Sequence, residues 1–252
     1  MNINEEKRNQ WQALKGMGFK AHWDYFWDYY KIHVIVGIIV IVAAVSMIKD
    51  IVSQKPFALS CTFINTASMN EADSLTNEFA QYEGIDTSKY VVSIDASSTI
   101  NMENPDQFTV ANSERIYAMI AARDLDIIMA DEAIFKNYVG NEMYQDLSGY
   151  FTADELAAFG DKVVYVDPES LVRDDDMASL DAEAAAVPRT ADIIENPSES
   201  EKAKLMPIGI KLENNSHLTA LEYYPGEPAY IGIVTATERA DTAADFIRYL
   251  AN

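Results

Sequence analysis

Asn65, Thr66 and Ser68 follow one run of β-branched and aromatic residues, Ser97, Ser98 and Thr99 follow a second, and Asp131 and Glu132 follow a third. Amides and hydroxyls donate and accept, and carboxylates accept. Such a set suits the holding of a polar solute. Tyr223, Tyr224 and Tyr230, expected to be exposed, would add stacking surfaces. For each of these residues the competing expectation is turn or capping duty.

The sequence offers little for catalysis. No nucleophile elbow, phosphate-binding loop, GxGxxG or HExxH is present. The three histidines are His22, His33 and His217, and Cys61 is the single cysteine, so neither a disulfide nor a Cys cluster for zinc can form within one chain. No cofactor is expected. Asp174, Asp175 and Asp176 form the tightest acidic cluster. Calcium wants several oxygens, but the alternating acids and central Gly of an EF-hand loop are missing. The cluster therefore reads as a solvated loop or helix start.

The three loops need strands to carry them. Phe57–Ile64, Tyr90–Ile94 and Asp126–Ala130 read as strands, as do Val163–Val166, Leu205–Leu212 and Ala229–Val234. Between them lie helical patterns. One spans Leu75, Phe79 and Tyr82 and is closed by Gly84; a second covers 114–122, and a third covers 131–139 and is closed by Gly140. Ser68/Glu71, Thr152/Glu155 and Thr235/Glu238 have capping-box spacing, with Phe151 and Leu156 as a staple around the second. Ala243, Phe246, Ile247 and Leu250 stripe a further helix, and another is expected over 176–186. Strands alternating with helices predict an α/β fold, and the unalternating apolar strand at 126–130 predicts a parallel sheet covered on both faces. In open sheets of this kind ligands sit beyond the carboxyl ends of the strands, which is why the three loops are singled out.

Ahead of this domain, Ile32 to Ile48 holds 17 residues without a formal charge. At about 1.5 Å per residue that is roughly 25 Å, slightly short of a bilayer core. The stretch from Trp23 to Tyr30 supplies an aromatic shoulder, and it contains two of the three tryptophans; the third is Trp11. A signal peptide would lie closer to Met1 and be followed by a small-x-small site, which Ser46–Lys49 is not. Cys61 lacks the preceding pattern of a lipidated cysteine. The expected organisation is a cytoplasmic tail at 1–22, an aromatic segment and transmembrane helix at 23–50, a linker at 51–56 and an extracellular domain at 57–252. Lys7, Arg8, Lys15, Lys20 and Lys31 precede the helix core and only Lys49 and Lys55 follow it closely, so the positive-inside rule puts the N-terminus in the cytoplasm. The expected partner of Ile32 to Ile48 is the lipid bilayer.

Charge excludes one class of partner. Residues 56–252 carry 12 basic and 35 acidic side chains, near −23. Such a surface repels phosphate backbones, so no nucleic acid is expected.

Three stretches together resemble bacterial extracellular solute-binding proteins of the periplasmic-binding class II type. They are Ala121–Glu132 followed by Tyr144-Gln-Asp-Leu147, then Pro207–Leu212, and then Ile231–Val234 leading into Ala243–Leu250. The resemblance implies a two-lobed α/β domain with a small ligand in the cleft between lobes, serving an ABC transporter. The domain is shorter than typical members, which implies that one lobe is reduced, and it has no Trp for stacking on sugars. The competing expectation is a non-catalytic interaction module or accessory subunit of a membrane complex.

Overall fold

The computed structural model describes residues 19–53, 55–171 and 189–251. Trp11, the acidic cluster at 174–176 and the helix expected over 176–186 lie outside the described residues. The chain divides into two units, residues 1–54 and 55–252.

The first unit is built on helix α1, Phe19–Ser53. Its 35 residues rise about 52 Å. No proline and one glycine, Gly37, fall within it, and Pro56 follows shortly after its end. The backbone ladder therefore runs unbroken from the aromatic stretch into the apolar one. The helix takes in the end of the expected tail and the start of the expected linker. Tyr30–Lys49 is long and apolar enough to cross a membrane, and none of it is buried.

In the second unit the described strands form one sheet of seven, in the order β2-β1-β3-β7-β6-β4-β5. The strands are β1 (Phe57–Ile64), β2 (Val91–Ser98), β3 (Ile127–Ala130), β4 (Val163–Val166), β5 (Ile193–Glu195), β6 (Met206–Leu212) and β7 (Ala229–Ile233). Only β2, β1 and β3 run parallel; every other neighbour is antiparallel. The expected parallel sheet is thus corrected to a mixed one. A continuous apolar run reports burial on both faces, which β3 has, and not the direction of its neighbour. The described strands of this sheet all belong to the one compact unit of residues 55–252.

Helices cover both faces. On one, α2 (Asp73–Glu83) and the C-terminal α9 (Ala240–Ala251) bury Leu75, Phe79, Phe246 and Leu250 against Leu59, Cys61 and Phe63 of β1. Phe79 meets Phe246 edge to face, with centroids 4.8 Å apart, and burying each such ring stabilises the fold by about 1.5–3 kcal/mol. On the other face, α3 (Gln107–Ala121) and α4 (Glu132–Gly140) bury Ile116, Ile134, Phe135 and Tyr138 against Ile64, Ile128 and Ala130. Two strand glycines make this packing possible. A Cβ on Gly232 would lie 2.5 Å from the Tyr144 ring, and one on Gly209 would lie 2.5 Å from Phe135 and 2.8 Å from the Ile231 carbonyl. The aromatic rings rest directly on the backbone there.

Of the three expected capping boxes one forms. Thr152 and Glu155 cap α5 (Ala153–Phe159) reciprocally. Helix α2 instead begins beyond Ala72 with no side-chain cap, and Ser68 turns to another loop. Thr235 bonds the Met143 carbonyl, and α9 starts at Ala240.

Candidate functional site

The site is the loop cluster at the carboxyl ends of β1, β2 and β3. Asn65 leaves β1 with a left-handed backbone (φ 60°), a conformation that Asn tolerates better than most residues. Its side chain reads the whole Ile100 peptide, accepting from the N–H at 2.8 Å and donating to the carbonyl at 3.0 Å. The same amide nitrogen donates to Asp131 Oδ2 at 2.5 Å. Asp131 spends its other oxygen on the Ile134 N–H, capping α4. One amide therefore ties the loops after all three parallel strands.

The remaining residues extend this closure. Thr66 Oγ lies 2.8 Å and 2.9 Å from the carbonyls of Ser68 and Ala96. Ser68 Oγ donates to the Leu221 carbonyl at 2.7 Å. The Ala67 N–H donates to the Tyr223 carbonyl. Tyr223 and Tyr224 send their hydroxyls to the carbonyls of Asn70 (2.6 Å) and Ile64 (2.8 Å). At the end of β2, Ser98 is buried and accepts from Arg115 at 2.5 Å. Arg115 also pairs with Asp95 at 2.6 Å. Ser97 donates its N–H and hydroxyl to Asp95 Oδ1. Burial raises the Asp95 carboxyl, but the hydrogen bonds from Ser97 and Arg115 outweigh it and hold the group below its ordinary value.

The structure thus brings Asn65, Thr66, Ser68, Ser98, Asp131, Tyr223 and Tyr224 together and joins them to one another, to backbone or, for Ser98, to Arg115. Ser97, Thr99 and Glu132 remain exposed at the rim, Glu132 in an ion pair with Lys136 at 2.5 Å. The expectation of exposed tyrosines is corrected. Tyr223 and Tyr230 are 0% and 1% exposed, and Tyr224 is half-buried. Tyr223 and Tyr224 send their hydroxyls to backbone carbonyls, and Tyr230 donates to Glu195 Oε1 at 2.8 Å. Burial, then the nearby Asp131, pushes the Tyr224 phenol well up, so it stays a donor.

Sequence reasoning did not single out Asp95, Arg115 or Asn70. The available signal was slight: a carboxylate one residue past the expected strand and an arginine beside Ile116 on α3. It also missed a second polar centre at the opposite end of the sheet. Asp126 is fully buried and accepts from Ser60 N–H at 2.7 Å, Arg239 Nε at 2.9 Å and the Thr237 hydroxyl. Arg239 reaches on to the Arg123 carbonyl at 3.1 Å.

Two of the surface hollows among the described residues are well within the size of a small-ligand site. One, of about 590 Å³, lies beside the loop cluster and is bordered by Met102, Glu132, Lys136 and Asp192. The other, of about 660 Å³, runs between α5 and the short helix α7 (Glu199–Lys202), over Tyr165, Leu156, Met206 and Pro207. Among the described residues no three His, Cys, Asp or Glu side chains are grouped to hold a metal. Burial, then Asp126, pushes the Cys61 thiol well up, which disfavours the thiolate.

Compared with family models, curated proteins and solved structures, the chain matches none of them.

Proposed function

We propose that this chain is a single-span membrane protein whose acidic α/β domain acts as a non-catalytic interaction module, an accessory subunit of a membrane complex. One observation carries the reading: the polar side chains at the carboxyl ends of the parallel strands are bonded to one another and to backbone rather than converging on an open cleft. A solute entering there would have to break those bonds before making its own. The anchor is supported by the unburied apolar segment Tyr30–Lys49, and the orientation, with the domain outside, by the lysines and arginine ahead of it.

The test has two parts. The chain should stay in the membrane pellet after alkaline carbonate washing, and protease added to intact cells should digest the domain and spare the N-terminal tail. Full-length chain purified in mild detergent should then bring down a membrane protein at fixed stoichiometry. Release by carbonate overturns the anchor, a protected domain overturns the orientation, and chain recovered alone overturns the accessory role.

The second reading is a solute-binding protein, as the resemblance implies. It is supported by the 590 Å³ hollow, whose border pairs Glu132 with Lys136. A solute at 100 times its Kd would stabilise the domain by about 2.7 kcal/mol. A broad panel of amino acids, peptides and sugars that leaves its Tm unmoved removes this reading.

A further inference from the structure

The hollow of about 660 Å³ between α5 and α7 has a chemistry of its own. Its walls are mostly apolar. Leu156 of α5 borders it, with Leu205 and, from β6, Met206 and Pro207. All four are buried or half-buried.

Two polar groups interrupt this surface without partners. The first is Tyr165 of β4, which is 6% exposed and has no hydrogen-bond partner for its hydroxyl among the described residues. A buried tyrosine ordinarily finds one. Tyr165 stands opposite Pro207, where the register of β4 against β6 shifts. Such an irregularity re-aims a side chain, and it accepts a proline because no ladder N–H is needed there. Lys202 and Glu199, which act on the Tyr165 phenol, border the same hollow. Burial raises that phenol against the pull of Lys202, so it keeps its proton and can donate.

The second is Lys204, just past α7 and also on the border. The acids around it are committed. Glu201 accepts from the Ser198 N–H at 2.8 Å and hydroxyl at 2.6 Å. Glu199 holds Lys202 at 2.6 Å, and Asp146 Oδ1 accepts from the Ser148 N–H at 2.8 Å. Among the described residues Lys204 enters no ion pair. The local charge differs from that of the rest of the domain. Residues 56–252 carry 35 acids to 12 bases, yet Asp146 and Glu199 are matched here by Lys202 and Lys204. Most of this surface repels an anion, and this part does not.

We propose that the hollow binds a long-chain carboxylate, its chain along Leu156, Leu205, Met206 and Pro207 and its head between the Tyr165 hydroxyl and the Lys204 ammonium. The two carboxylate oxygens then meet one neutral and one charged donor. The head brings a single charge. A phosphate monoester would bring about two to an acidic domain with one uncommitted ammonium to receive them. The site needs neither the membrane anchor nor the accessory role.

The test is photolabelling of the full chain in membranes of the cells that produce it, using dodecanoic acid with a diazirine at mid-chain, followed by peptide mapping. Label should fall on residues 153–168 and 203–207. Excess dodecanoic acid should cut it at least fivefold, and dodecanol or dodecyl phosphate less than twofold. Lys204→Gln should cut it at least fivefold and Tyr165→Phe at least threefold. Lys89→Gln, which removes a lysine paired with Asp86, should leave it unchanged. Lys204 is exposed, so its variant tests the head group even where Tyr165→Phe fails to fold. Label absent from both segments, equal displacement by dodecanol, or unchanged label in Lys204→Gln overturns the site. Displacement by dodecyl phosphate as strong as by the acid overturns the carboxylate head.

Discussion

Asp126 is the residue on which most depends for its size. Its carboxylate is out of water, and its compensation comes from one guanidinium, one hydroxyl and one backbone N–H. Removing one partner of such a pair leaves the other charged and unmatched, at a cost of about 3–5 kcal/mol. Arg239→Ala should therefore destabilise residues 55–252 by that amount in urea unfolding, and a loss below 1 kcal/mol would contradict the assignment. Tyr138 is the opposite case. Its hydroxyl is buried and has no hydrogen-bond partner within the described chain, and burial pushes its phenol well above the ordinary value. An unmet buried donor costs about 1–3 kcal/mol, so Tyr138→Phe should leave the unfolding midpoint unchanged or raise it; a fall of 2 kcal/mol would show that the hydroxyl has a partner.

Between elements, one polar tie joins α5 to α9. Arg248 donates to Glu155 at 2.8 Å, to Asp245 at 2.6 Å and to the Tyr150 carbonyl at 2.8 Å, and lies 4.6 Å above the Phe151 ring. The Arg248 hydrogen bond first, then those from Thr152, hold the Glu155 carboxyl down at about 2, from an ordinary 4.5. A carboxyl lowered on folding adds stability that is complete above its unfolded value and is lost as the folded value is approached. Unfolding free energy should fall as pH drops from about 4.5 toward about 2, and Glu155→Gln should flatten that part of the curve. Parallel slopes for the two proteins would show that the tie does not act on folding.

The elements also show what a chain can tell locally. Strands β1 and β4 have the expected bounds, because their residues alternate or run apolar between clear breaks. Strand β2 was expected to end at Ile94 but continues to Ser98, since Asp95 is paid for by Arg115, a partner 20 positions away in sequence. Strand β5, three residues in an acidic stretch, has no local signature and exists because β4 offers it an edge. Strand direction was equally hidden, because it depends on which distant strand arrives alongside. At the candidate site the convergence of Asn65 and Asp131 was legible from the loops they occupy, and the inward turn of Tyr223 and Tyr224 was not. Nor was the choice of distant partners, for a hydrogen bond across 66 or 160 positions leaves no spacing to read.

At the scale of the molecule, charge sets the terms. A formal charge near −23 on residues 56–252 repels itself in the folded state more than in an expanded chain. Salt shortens the reach of that repulsion to about 8 Å at physiological ionic strength. The Tm of residues 55–252 should therefore rise by several degrees between 10 mM and 150 mM sodium chloride, with most of the gain reached by the upper value. A flat or falling Tm would mean that the surface ion pairs, which salt weakens, outweigh the net charge.

The order of the sheet has a consequence for synthesis. Strand β7 is the last described strand along the chain, yet it sits in the middle of the sheet, between β3 and β6, and the arginine that neutralises Asp126 comes after it still. A ribosome or translocase delivers β1 to β6 first, with the central gap open and a carboxylate in need of its cation. The domain can close only once its C-terminal segment has emerged, so chains interrupted before β7 should be recognised as unfinished and degraded rather than accumulate as stable fragments.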